Sequence, residues 1–231
     1  MSVDRTRTDR TPAGYYERIA AGYREDRFGN SYGRFIDAAE RRWLDACMSR
    51  RVDGPVLDLA CGDGRFSDRA DLGIDLAAGM LRIARETQTS TAFVRGDATA
   101  WPIADGTLGA AFCFHLAMHL HDAQLRTLFV EAARCLRPGG LLLIDVPGRL
   151  RRRLRPHRSD IARWHGHSAY DIGDILTMAT GFTLDRVDGL LMLPLHRLPP
   201  RWRPLSAGLD RLLCRLLRPW ASYQLIALRR T

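Results

Sequence analysis

The chain of 231 residues contains no lysine; all 35 of its basic residues are arginine. Schiff-base chemistry and a phosphate-binding P-loop lysine are therefore excluded. Cysteine is sparse as well. Cys47, Cys61, Cys113, Cys135 and Cys214 are odd in number, widely spaced and free of any C-x-x-C pair. That argues against a disulfide framework or a zinc ribbon and for reduced, mostly buried thiols. No apolar run reaches the roughly 18 residues of a membrane span, and the start, Met1 to Pro12, is polar and charged. Neither a transmembrane helix nor a signal peptide is expected, and the expected location is cytoplasmic. No internal repeat is visible. With 46% hydrophobic residues, the chain suffices for one large α/β domain with a few insertions.

What is present is organised around Val56-Leu57-Asp58-Leu59-Ala60-Cys61-Gly62-Asp63-Gly64-Arg65-Phe66. Val56, Leu57 and Leu59 read as a short strand buried on both faces. Gly62 and Gly64 then let the backbone turn tightly and approach a ligand with no Cβ in the way. The phosphate-cradling G-x-G-x-x-G spacing of nicotinamide dehydrogenases is absent. Only Phe66 to Asp71 separates this loop from Leu72-Gly73-Ile74-Asp75-Leu76, so any helix between them is limited to about two turns. Asp75 ends that second strand, where its two oxygens can accept from both hydroxyls of a ribose. Its alternative role is to cap a helix over 77–85.

The loop resembles motif I of the class I S-adenosylmethionine (SAM) dependent methyltransferases, an acidic residue followed by GxGxG, with Ala60 standing at the first glycine. Three further features carry the resemblance in order: Asp75, Gly96-Asp97-Ala98, and Arg137-Pro138-Gly139-Gly140 before an aliphatic run. It covers about residues 12–191 and is to the type 11/25-like branch with small-molecule and lipid acceptors. Leu108-Gly109 departs from the Phe-Asp usual before the fourth strand. The resemblance implies SAM as cofactor, S-adenosylhomocysteine (SAH) as product, and a Rossmann-like, seven-stranded, mostly parallel sheet with helices on both faces and an antiparallel last strand. It implies three parts: an N-terminal helical cap (1–50), a SAM-binding core (51–148), and a completion of the sheet with basic substrate-side insertions (149–231).

On that resemblance the cofactor-binding residues are Asp58, Ala60, Gly62, Gly64, Asp75, Leu76, Asp97, Ala98 and His115, with Tyr15, Tyr23 and Arg34 from the cap. Asp97 is assigned to the adenine amino group, although Gly-Asp is also an ordinary turn dipeptide. The cap aromatics have a packing alternative too, since aromatics in amphipathic helices usually face the core. Helices are expected over 12–28 and 32–50, strands over 110–116 and 141–146, and a capping-box start at Ser168 and Asp171. Candidate bases are His115 and His119, because neutral imidazole suits a proton near pH 7. A metal site on these two would need a third ligand that the sequence does not identify, and none is expected. The Asn/Asp-Pro-Pro-Tyr motif of planar-nitrogen methyltransferases is absent.

Charge divides the chain. Residues 1–148 carry 19 arginines against 20 acids, whereas 149–231 carry 16 against 6. The excess includes a basic run over 149–158 and a Leu/Arg helix over 205–218. On a wheel at 100° per residue its leucines, Leu205, Leu209, Leu212, Leu213, Leu216 and Leu217, cover an arc of about 140° with Arg211, Arg215 and Arg218 opposite. Such a helix is a lid packed by its leucines, an interfacial helix on anionic membrane, or a nucleic-acid contact. The expected activity is methyl transfer from SAM to a small or amphiphilic organic acceptor. The alternatives are a tRNA or rRNA methyltransferase and a non-catalytic SAM-binding protein.

Overall fold

The computed structural model describes residues 12–154 and 168–231. Seven strands form one sheet: β1 (Val56–Leu59), β2 (Leu72–Asp75), β3 (Ala92–Arg95), β4 (Leu108–Cys113), β5 (Leu136–Pro147), β6 (Phe182–Leu190) and β7 (Tyr223–Arg230). Their spatial order is β3-β2-β1-β4-β5-β7-β6. β1 to β5 pair in parallel, and β7 runs antiparallel to both of its neighbours. The expected sheet and its antiparallel last strand are both present.

Two-residue alternation splits the core into two layers. Leu57, Leu59, Ala111, Cys113, Leu142 and Ile144 face one side, where α4 (Asp122–Cys135) and α6 (Ile172–Met178) pack. Val56, Ala110, Phe112, Leu141 and Leu143 face the other, against Trp43, Leu44 and Cys47 of α2 (Ser31–Met48). Two acids also occur in this interior, Asp58 on β1 and Asp145 on β5, both nearly inaccessible.

Several boundaries differ from expectation. The first helix is α1 (Pro12–Ile19), continued by a single tighter turn and then by a wider, π-type turn over Glu25–Gly29. Between β1 and β2 the chain makes one 3₁₀ turn, Ser67–Arg69, because Asp71 must return at once to accept from the Val56 N–H at 2.8 Å. β4 starts two residues earlier than expected and stops at Cys113, where His115 takes up positive φ. β5 already begins at Leu136. The Leu108-Gly109 departure has a steric origin: a Cβ on Gly109 would lie 2.4 Å from the Val52 carbonyl oxygen. The capping box of α6 is Asp171 with Asp174; Ser168 instead donates to the Leu120 carbonyl.

α3 (Ala78–Thr87) follows β2, and α5 (Arg149–Leu154) follows β5. Thus part of the basic run lies on α5; its remainder, 155–158, lies outside the described residues. α7 (Arg203–Leu216) precedes β7. It is anchored by buried Asp210 and Cys214, with Asp210 accepting from the Met192 and Leu193 N–H groups. Leu209, Leu212 and Leu216 are 52%, 52% and 69% exposed. A lid packed by these leucines is therefore not what forms, and Leu213 alone of the four turns inward.

Candidate active site

The glycine loop sits at the carboxyl end of β1, and its backbone does what the residue types allow. Gly62 and Gly64 have φ of +56° and +77°, and Ala60 occupies the same left-handed region at +55°. That conformation costs a non-glycine residue roughly 1–2 kcal/mol. A Cβ on Gly62 would meet nothing within 4 Å, whereas one on Gly64 would lie 3.1 Å from the Ala84 Cβ. Gly62 therefore faces open space and Gly64 faces α3. An open stretch of bare backbone fits a bulky nucleoside cofactor.

Asp75, at the tip of β2, accepts from the Gly62 N–H through Oδ2 and from the Ala77 N–H through Oδ1, each at 2.8 Å. The carboxylate thus ties the glycine loop to Ala77, the residue that precedes α3 (Ala78–Thr87). Each oxygen keeps a second lone pair. Burial raises its pKa against the pull of these N–H donors. Asp58 lies deeper, accepting from Ser67 Oγ at 2.7 Å, and burial pushes its pKa up to about 8. It supports the loop from beneath. Asp97 follows β3 and accepts from both the N–H and the hydroxyl of Thr99 at 2.8 Å, so the turn role is realised there. Ala98 is half-buried and accepts from the Trp101 indole, while Leu76 is exposed.

The cap closes over this edge. Tyr16, Ile19 and Tyr23 pack on Ala77 and Met80, and Glu17 accepts from the Gly79 N–H at 2.8 Å. Tyr15 stacks edge-on against Tyr16 at 5.3 Å. Arg34 is exposed and donates to the Gly29 carbonyl. The cap arginine that reaches the glycine loop is Arg24, bonding the Asp63 carboxylate at 2.8 Å and its carbonyl at 2.9 Å.

His115 and His119 part company beyond β4. His119 Nε2 lies 3.1 Å from the Tyr16 hydroxyl. His115 is held on three sides: its N–H donates to Asp145 at 2.5 Å, Nδ1 lies 3.4 Å from the other Asp145 oxygen, and Nε2 lies 3.0 Å from Glu40. The two carboxylates raise the His115 pKa, Glu40 foremost, against the effect of burial. Glu40 is fully buried and also accepts from Arg65 at 2.8 Å; His115 and Arg65 together hold its pKa low despite burial. Glu40, His115 and Asp145 bring one donor atom each within 4.8 Å of one another. Arg65 and His115 are the basic groups that face these carboxylates.

Sequence reasoning missed Glu40, Asp145 and Arg65. The signal was there for two of them. Glu40 interrupts the apolar stripe Ile36, Trp43, Leu44, Cys47 at helical spacing, and Asp145 interrupts Leu141 to Val146. An acid in a core stripe implies a buried partner.

Beside this cluster opens a cavity of about 510 Å³. Tyr16, Tyr23, His115 and His119 wall one side, and Arg151, Arg152, Leu190, Leu191, Leu193 and Tyr223 are among its other walls.

The family model for a methyltransferase domain matches residues 56–140, from β1 into the turn within β5. The match spans a little over a third of the chain. Among its relatives, demethylmenaquinone methyltransferase of Beutenbergia cavernae is 32% identical over 151 residues, covering 62% of this chain and 61% of that protein. The chain spans about half the length of the curated relatives it matches. Among solved structures, a SAM-dependent methyltransferase of Thermotoga maritima, described as a possible histamine N-methyltransferase, superposes with a TM-score of 0.65 at 18% identity, covering 94% of this chain and 98% of the other. Geranyl diphosphate C-methyltransferase of Streptomyces coelicolor, solved with Mg²⁺, geranyl diphosphate and SAH, has a TM-score of 0.59 at 18% identity over 84% of this chain and 77% of that one. These likenesses establish a shared fold.

Proposed function

We propose that this protein is a SAM-dependent methyltransferase acting on a small or amphiphilic organic acceptor. The observation that carries the reading is a pair of spaces linked by the cap, whose Tyr16 and Tyr23 pack on Ala77 beside the one and line the other. One is the open backbone at Gly62 beside Asp75; the other is the cavity of about 510 Å³ bounded by Tyr16, Tyr23, His115 and His119. Gly62, Gly64, Asp75, Leu76, Asp97 and Ala98 are the residues that would hold the cofactor. When bound, SAM supplies an electrophilic methyl group.

The cavity wall aligns the acceptor and keeps out water, the two requirements of an in-line displacement. His119 is the side chain suited to receive an acceptor proton, with the Tyr16 hydroxyl fixing its ring. His115 has a different task. Its proton is held by Glu40 and Asp145, so near neutral pH it steadies two buried carboxylates. The named acceptors of two related proteins, demethylmenaquinone and geranyl diphosphate, belong to the same broad class.

The test is incubation with methyl-labelled SAM against metabolite pools, membrane extract and total RNA in parallel. Label in a small or lipid-extractable product supports the reading. Label confined to RNA favours an RNA methyltransferase, and SAM binding with no labelled product leaves a binding protein.

A peripheral contact with anionic membrane belongs to the same proposal. It is favoured by the exposed stripe Leu209, Leu212 and Leu216, with Trp202 and Trp220 exposed at the two ends of α7 and Arg211 and Arg215 alongside. Among the described residues no helix is long and apolar enough to cross a membrane. Leucines down and arginines at the headgroups is the arrangement of an interfacial helix. Replacing the three leucines with serine leaves the melting temperature unchanged and abolishes sedimentation with phosphatidylserine vesicles at low salt. Failure of the unaltered protein to sediment would sink the membrane contact.

A further inference from the structure

The cavity wall carries a cation, Arg152, that has no acidic partner among the described residues. Arg152, on α5, is half-buried and lines the wall. Among the described residues no carboxylate lies within ion-pair distance of it. Burial pulls its pKa down, and the Tyr223 hydroxyl nearby opposes that only in part. A guanidinium stays charged under any ordinary condition, so this burial is a free-energy cost that no carboxylate among the described residues offsets. Arg65, which is buried, is by contrast matched by Glu40 and Asp37.

The surroundings specify what would relieve it. Arg151, the adjacent wall cation, spends one N–H on the Met192 carbonyl at 3.0 Å and adds positive potential. Of the acids on the wall, Glu40 is already balanced by Arg65 and His115, and Asp26 is exposed. Between Arg152 and the histidines stands Tyr223, its ring 6.0 Å from that of His115. Leu190, Leu191, Leu193, Pro194 and Met118 give the same cavity an apolar wall. The one cavity thus offers a guanidinium with no acid beside it among the described residues, the His115 and His119 imidazoles, and hydrocarbon.

We propose that the acceptor is an amphiphilic anion whose carboxylate or phosphate is seated on Arg152, with its apolar part along Leu190, Leu191 and Leu193. This inference rests on the methyltransferase reading and names the substrate class for it. Arg152 is then a specificity-determining residue: a neutral acceptor would leave the buried guanidinium unpaired, and the anion forms charge-assisted hydrogen bonds in a partly desolvated place.

The test uses two soluble probes of equal chain length, decyl phosphate and decanol, titrated below micelle-forming concentration into the whole protein with and without SAH. The expected result is about 10- to 100-fold tighter binding of decyl phosphate. Arg152→Gln removes that preference while SAH affinity holds and the melting temperature stays level or rises, because an uncompensated buried charge has gone. A drop in melting temperature with the preference intact would mark Arg152 as structural and overturn the proposal. So would equal affinity of the two probes in the unaltered protein. Absence of SAH binding would instead strike the methyltransferase reading, and the anion preference is scored independently of it.

Discussion

The two ends of the sheet's carboxyl edge are built from different materials. Around β1, β2 and β3 the candidate site is mostly backbone: positive φ at Ala60, Gly62 and Gly64, and a carboxylate, Asp75, that holds two N–H groups. Around β4, β5 and β7 it is all side chain: Glu40, His115, Asp145, Arg152 and Tyr223, drawn from α2, the tip of β4, β5, α5 and β7. A backbone cradle suits a cofactor that does not vary. A wall of side chains can be exchanged residue by residue, which suits an acceptor that differs from one relative to the next.

The largest expected break in this comparison is at His119. His119→Gln binds SAM as before and loses about 10²- to 10⁴-fold in turnover, the usual span for a positioned acid or base. His115→Gln behaves differently: it leaves Glu40 and Asp145 buried with less compensation and lowers the melting temperature. Steady-state kinetics beside thermal melting separates the two, and the reverse pattern would exchange the assigned roles.

On the backbone side, Asp75→Ala removes an acceptor for the ribose hydroxyls and also frees the Gly62 and Ala77 N–H groups. SAM affinity falls by about five- to 150-fold, the equivalent of roughly 1–3 kcal/mol, and stability falls with it. Calorimetry showing undiminished affinity would remove Asp75 from the site.

The smallest effect is a pH dependence. Burial raises the Asp58 pKa from 3.8 to about 8, so folding takes up a proton. The associated stability is fully present below the unfolded value and is lost as pH rises through about 8. His115 shifts upward too, because of Glu40 and Asp145, and its contribution is lost as pH rises from about 6.5 through its folded value. Melting temperature therefore declines from about pH 4 to about pH 8. Asp58→Asn, still able to accept from Ser67, flattens part of that decline; an unchanged slope would mean that Asp58 is not the group responsible.

The same division explains what was legible in the sequence. Backbone-determined features print locally: the glycine loop, the strand-tip Asp75 and the turn after β3 each need particular residue types within a few positions, and the seven-stranded sheet follows from their order. The acceptor side prints weakly, because Glu40 meets His115 and Asp145 across 75 and 105 positions of chain. Only the fold brings them together. The resemblance assigns Arg34 to the cofactor with the rest of the cap, yet Arg24 is the cap arginine that bonds the glycine loop and Arg34 is exposed. In α7 the wheel located the leucine face correctly but not the core, which took hold of Asp210 and Cys214 instead.

The central claim is that the open backbone at Gly62 holds the cofactor, and calorimetric titration of SAM into the unaltered protein and into Gly62→Val tests it most directly. The valine would place a branched side chain into that space at a φ of +56°. The account predicts one SAM site per chain in the unaltered protein and at least about 100-fold weaker binding in a variant that still melts cooperatively. No binding by the unaltered protein, or equal affinity in the two, would contradict it.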